Sequence, residues 1–325
     1  MTLEAIRDTI APELEALTRR IDDALGSSNP LMNSVVSGYL KSKGKMIRPI
    51  LVILTAKLLG EVNDRVMAGA AAVELLHNAS LIHDDVIDES KLRRGRPTVN
   101  SRWDNHIAVL VGDFFVSSSL QQALSTDDIR VVSSIANLGR LLSLGEIDQI
   151  YNARYHCLDE AAYLEVIRRK TASLFVSCIE IGGYAVDATE QQLAPMRRYA
   201  ELLGLCFQIK DDIFDYFDDA DVIGKPTGND LREGKITLPL LWALNRDDLT
   251  EGAEMRELIG KEELSEDEIA RLIGFARRAG GIDYAYSRME QLAAEGIAEL
   301  ERAAAPGQTA TALADIFRFI IERDR

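Results

Sequence analysis

The sequence predicts an all-α fold. Three observations carry this. Apolar residues recur at helical spacing over nearly all of the 325 residues. Only 8 residues are proline, and no alternating run of β-branched residues is long enough to form a sheet. The stretch 64–88, which contains VMAGAAAVELLHNASLIH, is apolar on almost every face, as in a helix enclosed by other helices. The chain is 47% hydrophobic, ample for a large core, and has no linker or low-complexity tract. It reads as a single domain over 1–325.

Segments 4–25 and 31–42 read as amphipathic helices split by the turn signal SSNP. GKMIRP at 44–49 is expected as a loop carrying Lys45 and Arg48, with Pro49 opening a helix to about residue 60. The enclosed helix 64–88 is followed by a polar loop, ESKLRRGRPTVN, at 89–100. Helices are expected at 104–122, 127–152 and 159–184, the last two announced by TDD and LDE. Helix 189–217 ends in QIKDDIFDYFDD, and 218–235 is a long Gly/Lys/Asp loop, more often functional than idle in a compact domain. Helices over 236–245, 251–258, 265–279, 281–304 and 308–323 complete the chain, with an acidic, solvent-like stretch at 259–268.

Net charge is −15 and pI near 4.8, which excludes nonspecific nucleic-acid binding and offers no basic stripe to an anionic membrane. The start, MTLEAIRDTIAPELEAL, is acidic and amphipathic, unlike a signal peptide. No charge-free apolar run reaches about 18 residues, so no membrane span is expected. Cys157, Cys178 and Cys206 lack CxxC spacing and read as reduced thiols of a cytoplasmic protein.

The chemistry concentrates in HNASLIHDDVIDESKLRR, residues 77–94. Asp84 and Asp88 are four apart, so on a helix they project from one side. Carboxylates this close, with Asp85 between them, raise each other's pKa unless a cation intervenes. A helix C-terminus is also the wrong end for them electrostatically. A second cluster, Asp211, Asp212 and Asp215 in QIKDDIFD, repeats the DDxxD core at the end of another apolar helix. A solvated helix end would explain one such cluster; two copies flanked by Lys and Arg read as halves of one site. Mg²⁺ takes one or two carboxylates and fills its shell with water and phosphate oxygens, so the pair suits about three ions around one diphosphate. Candidate phosphate partners are Lys45, Arg48, Arg93, Arg94, Lys170, Lys225 and Lys235. His77, two turns before Asp84, is either a neutral core histidine or a phosphate donor. Thr171 and Gln208 are polar groups in apolar helices, open to capping or helix back-bonding as well as to function.

These segments, with RRGRPT, GDFF at 112–115, the KT pair 170–171 and GKPTGNDLREGKITLP, resemble the trans-type polyprenyl diphosphate synthases, the head-to-tail isoprenyl chain-elongation enzymes. The likeness covers nearly the whole chain and leans toward the medium- and long-chain branch (heptaprenyl, octaprenyl, solanesyl). It implies an all-α bundle around a deep apolar cavity, a homodimer, and a Mg²⁺-dependent prenyltransferase joining isopentenyl diphosphate to an allylic diphosphate such as farnesyl diphosphate, for a quinone side chain. Asp84 and Asp88, with Asp211 and Asp215, would ligate Mg²⁺, Asp85 and Asp212 completing the motifs. Arg93, Lys170, Thr171, Gln208, Lys225 and Lys235 would hold the allylic substrate, and Lys45, Arg48, His77 and Arg94 isopentenyl diphosphate. A transient membrane contact would serve release of a greasy product. The rival readings are a class I terpene cyclase, whose second metal motif mixes Asn, Ser or Thr with Glu, and a non-catalytic partner subunit, which typically lacks one acid cluster.

Ala79 and Ser80 lie about one turn below the first aspartate, where bulky aromatics stop growth early in short-chain relatives. One turn rises about 5.4 Å, close to an isoprene unit, so small residues there argue for roughly seven to nine units. Leu138, Leu141 and Leu142 are candidates for the floor of the passage.

Overall fold

The computed structural model describes residues 1–40, 45–93, 95–217, 227–261 and 263–323. Regular structure among them is helical, as expected, apart from a short antiparallel ladder pairing Leu92–Arg93 with Arg96–Pro97. The chain divides into two compact units. One comprises Met1–Arg140, Leu174–Arg198 and Glu299–Ile316; the other comprises Leu141–Ser173, Tyr199–Ala298 and Phe317–Arg325.

The first unit contains α1 (Leu3–Asp8), α2 (Ala11–Ala24), α3 (Pro30–Leu40), α4 (Ile47–Leu59), α5 (Asp64–Ile87), α6 (Val99–Arg102), α7 (Asn105–Leu124) and the first half of α8 (Ile129–Arg154). The single helix expected over 4–25 breaks at Thr9–Ile10, where Pro12 in the first turn of α2 has no N–H to give the preceding turn. Helix α4 starts at Ile47, so Arg48 stands in a helical turn and not in the expected loop.

Helix α5 is enclosed as expected, with α2, α4 and α7 against it. Its run Ala68–Val73 is fully buried or nearly so, and such small residues let neighbouring backbones come close. Ser119 of α7 donates to the Ala72 carbonyl (2.7 Å). Gly112 of α7 meets the His83 ring so closely that a Cβ there would lie 2.2 Å from Nε2. Helix α7 is long and apolar enough to cross a membrane, with mean hydropathy 1.4, but its inner side lies along α5. Val109, Leu110, Leu120 and Leu124 on its other side are exposed.

In the second unit are the rest of α8, α9 (Glu160–Ile167), a π-helical turn Arg168–Ala172, and the end of α11 (Glu190–Phe214). Then come α12 (Asn229–Arg232), α13 (Leu238–Leu244), α14 (Gly252–Ile259), α15 (Glu266–Arg278) and most of α16 (Gly281–Ala303). Helices α10 (Ser173–Tyr184) and α17 (Gln308–Glu322) lie mainly in the first. Leu240 and Leu244 of α13, Leu272 and Phe275 of α15 and Met255 of α14 form a shared core. Helix α15 starts at a capping box, Ser265 with Glu268, at the expected position. The expected unbroken helix 159–184 instead contains the π turn.

A charge cluster secures the first unit. Asp128 is buried and accepts from Arg130 Nη2 (2.7 Å) and Arg65 Nη2 (2.6 Å), and both arginines also reach Asp187. The Arg130 hydrogen bonds outweigh burial and hold the Asp128 carboxyl at about 2, below its usual 3.8. A depressed acid stabilises above its unfolded pKa and loses that contribution as pH falls through its folded pKa, here about 2 kcal/mol between pH 5 and 2. Urea unfolding of the wild type and of Asp128→Asn across that range is expected to show a correspondingly shallower acid loss in the variant.

Candidate active site

Two acidic helix ends hold the candidate metal-binding aspartates, one in each unit. In the first, Asp84 and Asp85 occupy the last turn of α5 and Asp88 is its C-cap. Asp85 is buried; its carboxylate accepts from Arg93 Nε (2.8 Å), and its carbonyl takes Ser90 N (2.9 Å) and Asn100 Nδ2 (3.0 Å). The central aspartate thus fastens the 92–97 ladder to the helix and orients Arg93. Asp84, half-buried, and Asp88, exposed, form the outer pair one turn apart.

The same unit holds other expected residues. His77 is buried, and the Ser80 hydroxyl donates to its carbonyl (2.9 Å). Arg48 lies over the Phe175 ring, 5.6 Å from its centroid. Lys45 is exposed, and its carbonyl accepts from Arg7 (3.0 Å). Ala79 and Leu138 are fully buried. Arg94 and Lys225 lie outside the described residues.

The second unit holds a cavity of about 160 Å³ lined by Lys170, Thr171, Gln208, Asp212, Asp230 and Lys235, among others. The π turn presents the first two of these. Its wider winding, common at functional sites, lies against α8 where Gly145 leaves room: a Cβ there would stand 2.6 Å from Lys170 N. Arg168 bonds Glu201 (2.8 Å) and Arg169 bonds Asp148 (2.7 Å), fixing the turn from outside. Lys170 pairs with Glu146, and Lys235 with Glu233. Thr171 neither caps nor back-bonds: its hydroxyl donates to Gln208 Oε1 (2.7 Å). Gln208 Nε2 donates to Asp212 Oδ1 (2.8 Å), and Tyr163 O–H to Asp212 Oδ2 (2.6 Å).

The three aspartates of this cluster have different surroundings. Asp212 is held by two donors. Asp215 accepts the amides of Asn229 (2.9 Å) and Asp230 (3.0 Å), folding 227–235 back so that Asp230 and Lys235 reach the cavity. Asp211 bonds Arg323 Nη2 (2.6 Å); that guanidinium lies 4.2 Å from the Phe207 centroid and donates to the Phe207 carbonyl (3.0 Å). Burial raises the pKa of Asp212 and Asp215, in each case against opposing hydrogen bonds. Asp230 is pushed up by burial, then by Asp212 and Asp215. Burial also pushes up the thiols of Cys178 and Cys206, and all three cysteines are free.

Among the described residues no three His, Cys, Asp or Glu side chains converge on one metal position. Carboxylate oxygens in ones and twos are nevertheless the donor set for Mg²⁺ ions completed by water and phosphate. The residues fit such ions.

The polyprenyl synthetase family profile matches residues 29–275. The chain is 34% identical to an octaprenyl diphosphate synthase of Haemophilus influenzae, over 93% of this chain and 91% of that one. The chain belongs to the polyprenyl synthetase family. A decaprenyl diphosphate synthase of Rhodobacter capsulatus superposes with TM-score 0.93, 32% identity and 100% coverage of both chains. A Caulobacter crescentus polyprenyl synthase, solved with calcium and isoprenyl diphosphate, gives 0.92 and 31%, covering 100% of this chain and 98% of that one. The all-α architecture matches that of these polyprenyl synthetase relatives.

Tyr163 and Asp230 were not expected at the site, and Arg323, in the basic C-terminal IIERDR that could close near it, had no assigned partner. Asp230 follows GKPTG in a motif already quoted, a signal that was available; Tyr163 and Arg323 meet the aspartates only through folding. Replacing Asp215 by Ala removes the acceptor of two amides. Faster hydrogen exchange at Asn229 and Asp230, with a loss of about 1 kcal/mol in stability, is expected; unchanged exchange would refute the capping role.

Proposed function

We propose that this chain is a Mg²⁺-dependent head-to-tail prenyltransferase that joins isopentenyl diphosphate to an allylic diphosphate such as farnesyl diphosphate. Its product is read as a medium- to long-chain all-trans polyprenyl diphosphate for a quinone side chain. The observation that carries this is the second-unit cavity, where two lysines and a Thr171–Gln208–Asp212 chain of hydrogen bonds line one small space. The whole chain, 1–325, is proposed to act as a single catalytic domain.

Asp84 and Asp88, with Asp211 and Asp215, are read as serving the ions of one diphosphate, about three in all. Asp215 retains lone pairs after accepting two amides and so can still receive metal-bound water. When bound, Mg²⁺ neutralises charge on the departing diphosphate. Lys170 and Lys235, with Lys225, add point charges for that group, and Arg93, oriented by Asp85, adds a fork. Lys45, Arg48, His77 and Arg94 are assigned to isopentenyl diphosphate. Thr171 and Gln208 oxygens present negative dipole ends toward a developing allylic cation. The isopentenyl double bond attacks that cation, and the released diphosphate takes the proton. A cytoplasmic homodimer is the proposed form, supported by the exposed apolar side of α7; membrane contact would accompany product release only.

Purified chain incubated with farnesyl diphosphate, isopentenyl diphosphate and Mg²⁺ is expected to yield a linear polyprenyl diphosphate by mass spectrometry. Cyclic hydrocarbons would mean a cyclase, and no product a subunit needing a partner. Asp84→Ala or Asp211→Ala is expected to lose several kcal/mol, on the order of a thousandfold in kcat/KM. Ala79 and Ser80 are proposed to gate chain growth, with Leu138, Leu141 or Leu142 as the floor. Ala79→Tyr is expected to shorten the product on thin-layer chromatography without stopping turnover; unchanged length would remove the gate.

A further inference from the structure

We infer that Tyr163 is a positioning residue for the ionisation step, acting through Asp212 and Gln208 on the Thr171 hydroxyl. This rests on the reading of the second-unit cavity as the place where the allylic cation forms.

Tyr163 lies on α9, seven residues before Lys170, and is buried. Its hydroxyl stands 2.6 Å from Asp212 Oδ2, and its side chain lines the cavity. Beyond Asp212 the chain continues through Gln208 Nε2 (2.8 Å to Oδ1) and from Gln208 Oε1 to Thr171 Oγ1 (2.7 Å). Each link has a direction. A carboxylate accepts, so the Gln208 amide turns its NH₂ toward Asp212 and its carbonyl toward Thr171. Thr171 then commits its only O–H proton to Gln208, and its lone pairs are what remain for the cavity. Reverse the amide and Thr171 has to accept, which turns a positive hydrogen toward a forming cation.

Tyr163 anchors the far end of this order. Phenol O–H can only donate to a carboxylate, and it occupies the oxygen that Gln208 does not. Without it, Asp212, only 6% exposed, has one donor for two buried oxygens. The carboxylate then turns, and the amide and hydroxyl lose their alignment. The lysines facing the diphosphate, Lys170 and Lys235, are held by Glu146 and Glu233 and do not depend on Tyr163. The effect therefore falls on kcat and not on KM.

The test compares Tyr163→Phe, Thr171→Val and the double variant by kcat, by KM for each substrate, and by thermal midpoint. Each single variant is expected to lose about tenfold in kcat with KM within about twofold. The double variant is expected to be little slower than either single one, because both act through one chain. Tyr163→Phe at wild-type kcat, with Thr171→Val slow, overturns the inference and leaves the site reading standing. Thr171→Val at wild-type kcat overturns the site reading itself. A Tyr163→Phe chain that fails to fold, or whose loss multiplies with that of Thr171→Val, assigns Tyr163 a structural role only and overturns the inference.

Discussion

Aspartates taken out of water at the C-terminal ends of helices impose the strictest demand on this molecule. The helix end carries partial negative charge, burial disfavours the ionised carboxyl, and neighbouring acids add to both. Each carboxylate therefore needs a specific answer. Asp85 has Arg93, Asp211 has Arg323, Asp212 has Tyr163 and Gln208, and Asp215 has two backbone amides. Burial, then its acidic neighbours Asp212 and Asp215, push the Asp230 carboxyl up. In each unit, acids held this way favour cations.

The same demand organises the surrounding backbone. Asp215 draws 227–235 inward, which brings Lys235 and Asp230 to the cavity from a segment distant in sequence. On the opposite wall a π turn replaces regular helix, and Gly145 lets α8 approach it closely. Arg168 and Arg169 form ion pairs with acids outside the turn, and Lys170 and Thr171 are left to line the interior. Arginines and lysines only two residues apart thus do different work, because the winding of the turn sends them to different neighbours.

Much of this was legible from residue order. The enclosed helix over 64–88 follows from its apolar circumference, and the start of α15 from Ser265 and Glu268. The paired DDxxD segments identified the acidic helix ends, and Thr171 of the KT pair and Gln208 of QIKDDIFD were named as two polar members of apolar helices. Where the reading missed, a backbone detail was responsible, and only the first break carried a sequence signature, Pro12. The break at Thr9–Ile10, the entry of Arg48 into α4 and the π turn each shift a helix boundary or its winding while leaving its apolar spacing nearly intact.

Sequence alone determined the chemistry and the helical class: which acids cluster, which cations flank them, and which helix must be enclosed. Those properties are local, set by side-chain type and by spacing within a few turns. Only tertiary structure decided the division of labour among the acids. Whether an aspartate of this motif meets a phenol or a guanidinium depends on groups dozens of residues away, as with Tyr163 and Asp212 or Arg323 and Asp211. Burial and donor geometry arise only when those segments meet, and they turn three like aspartates in one motif into three different parts.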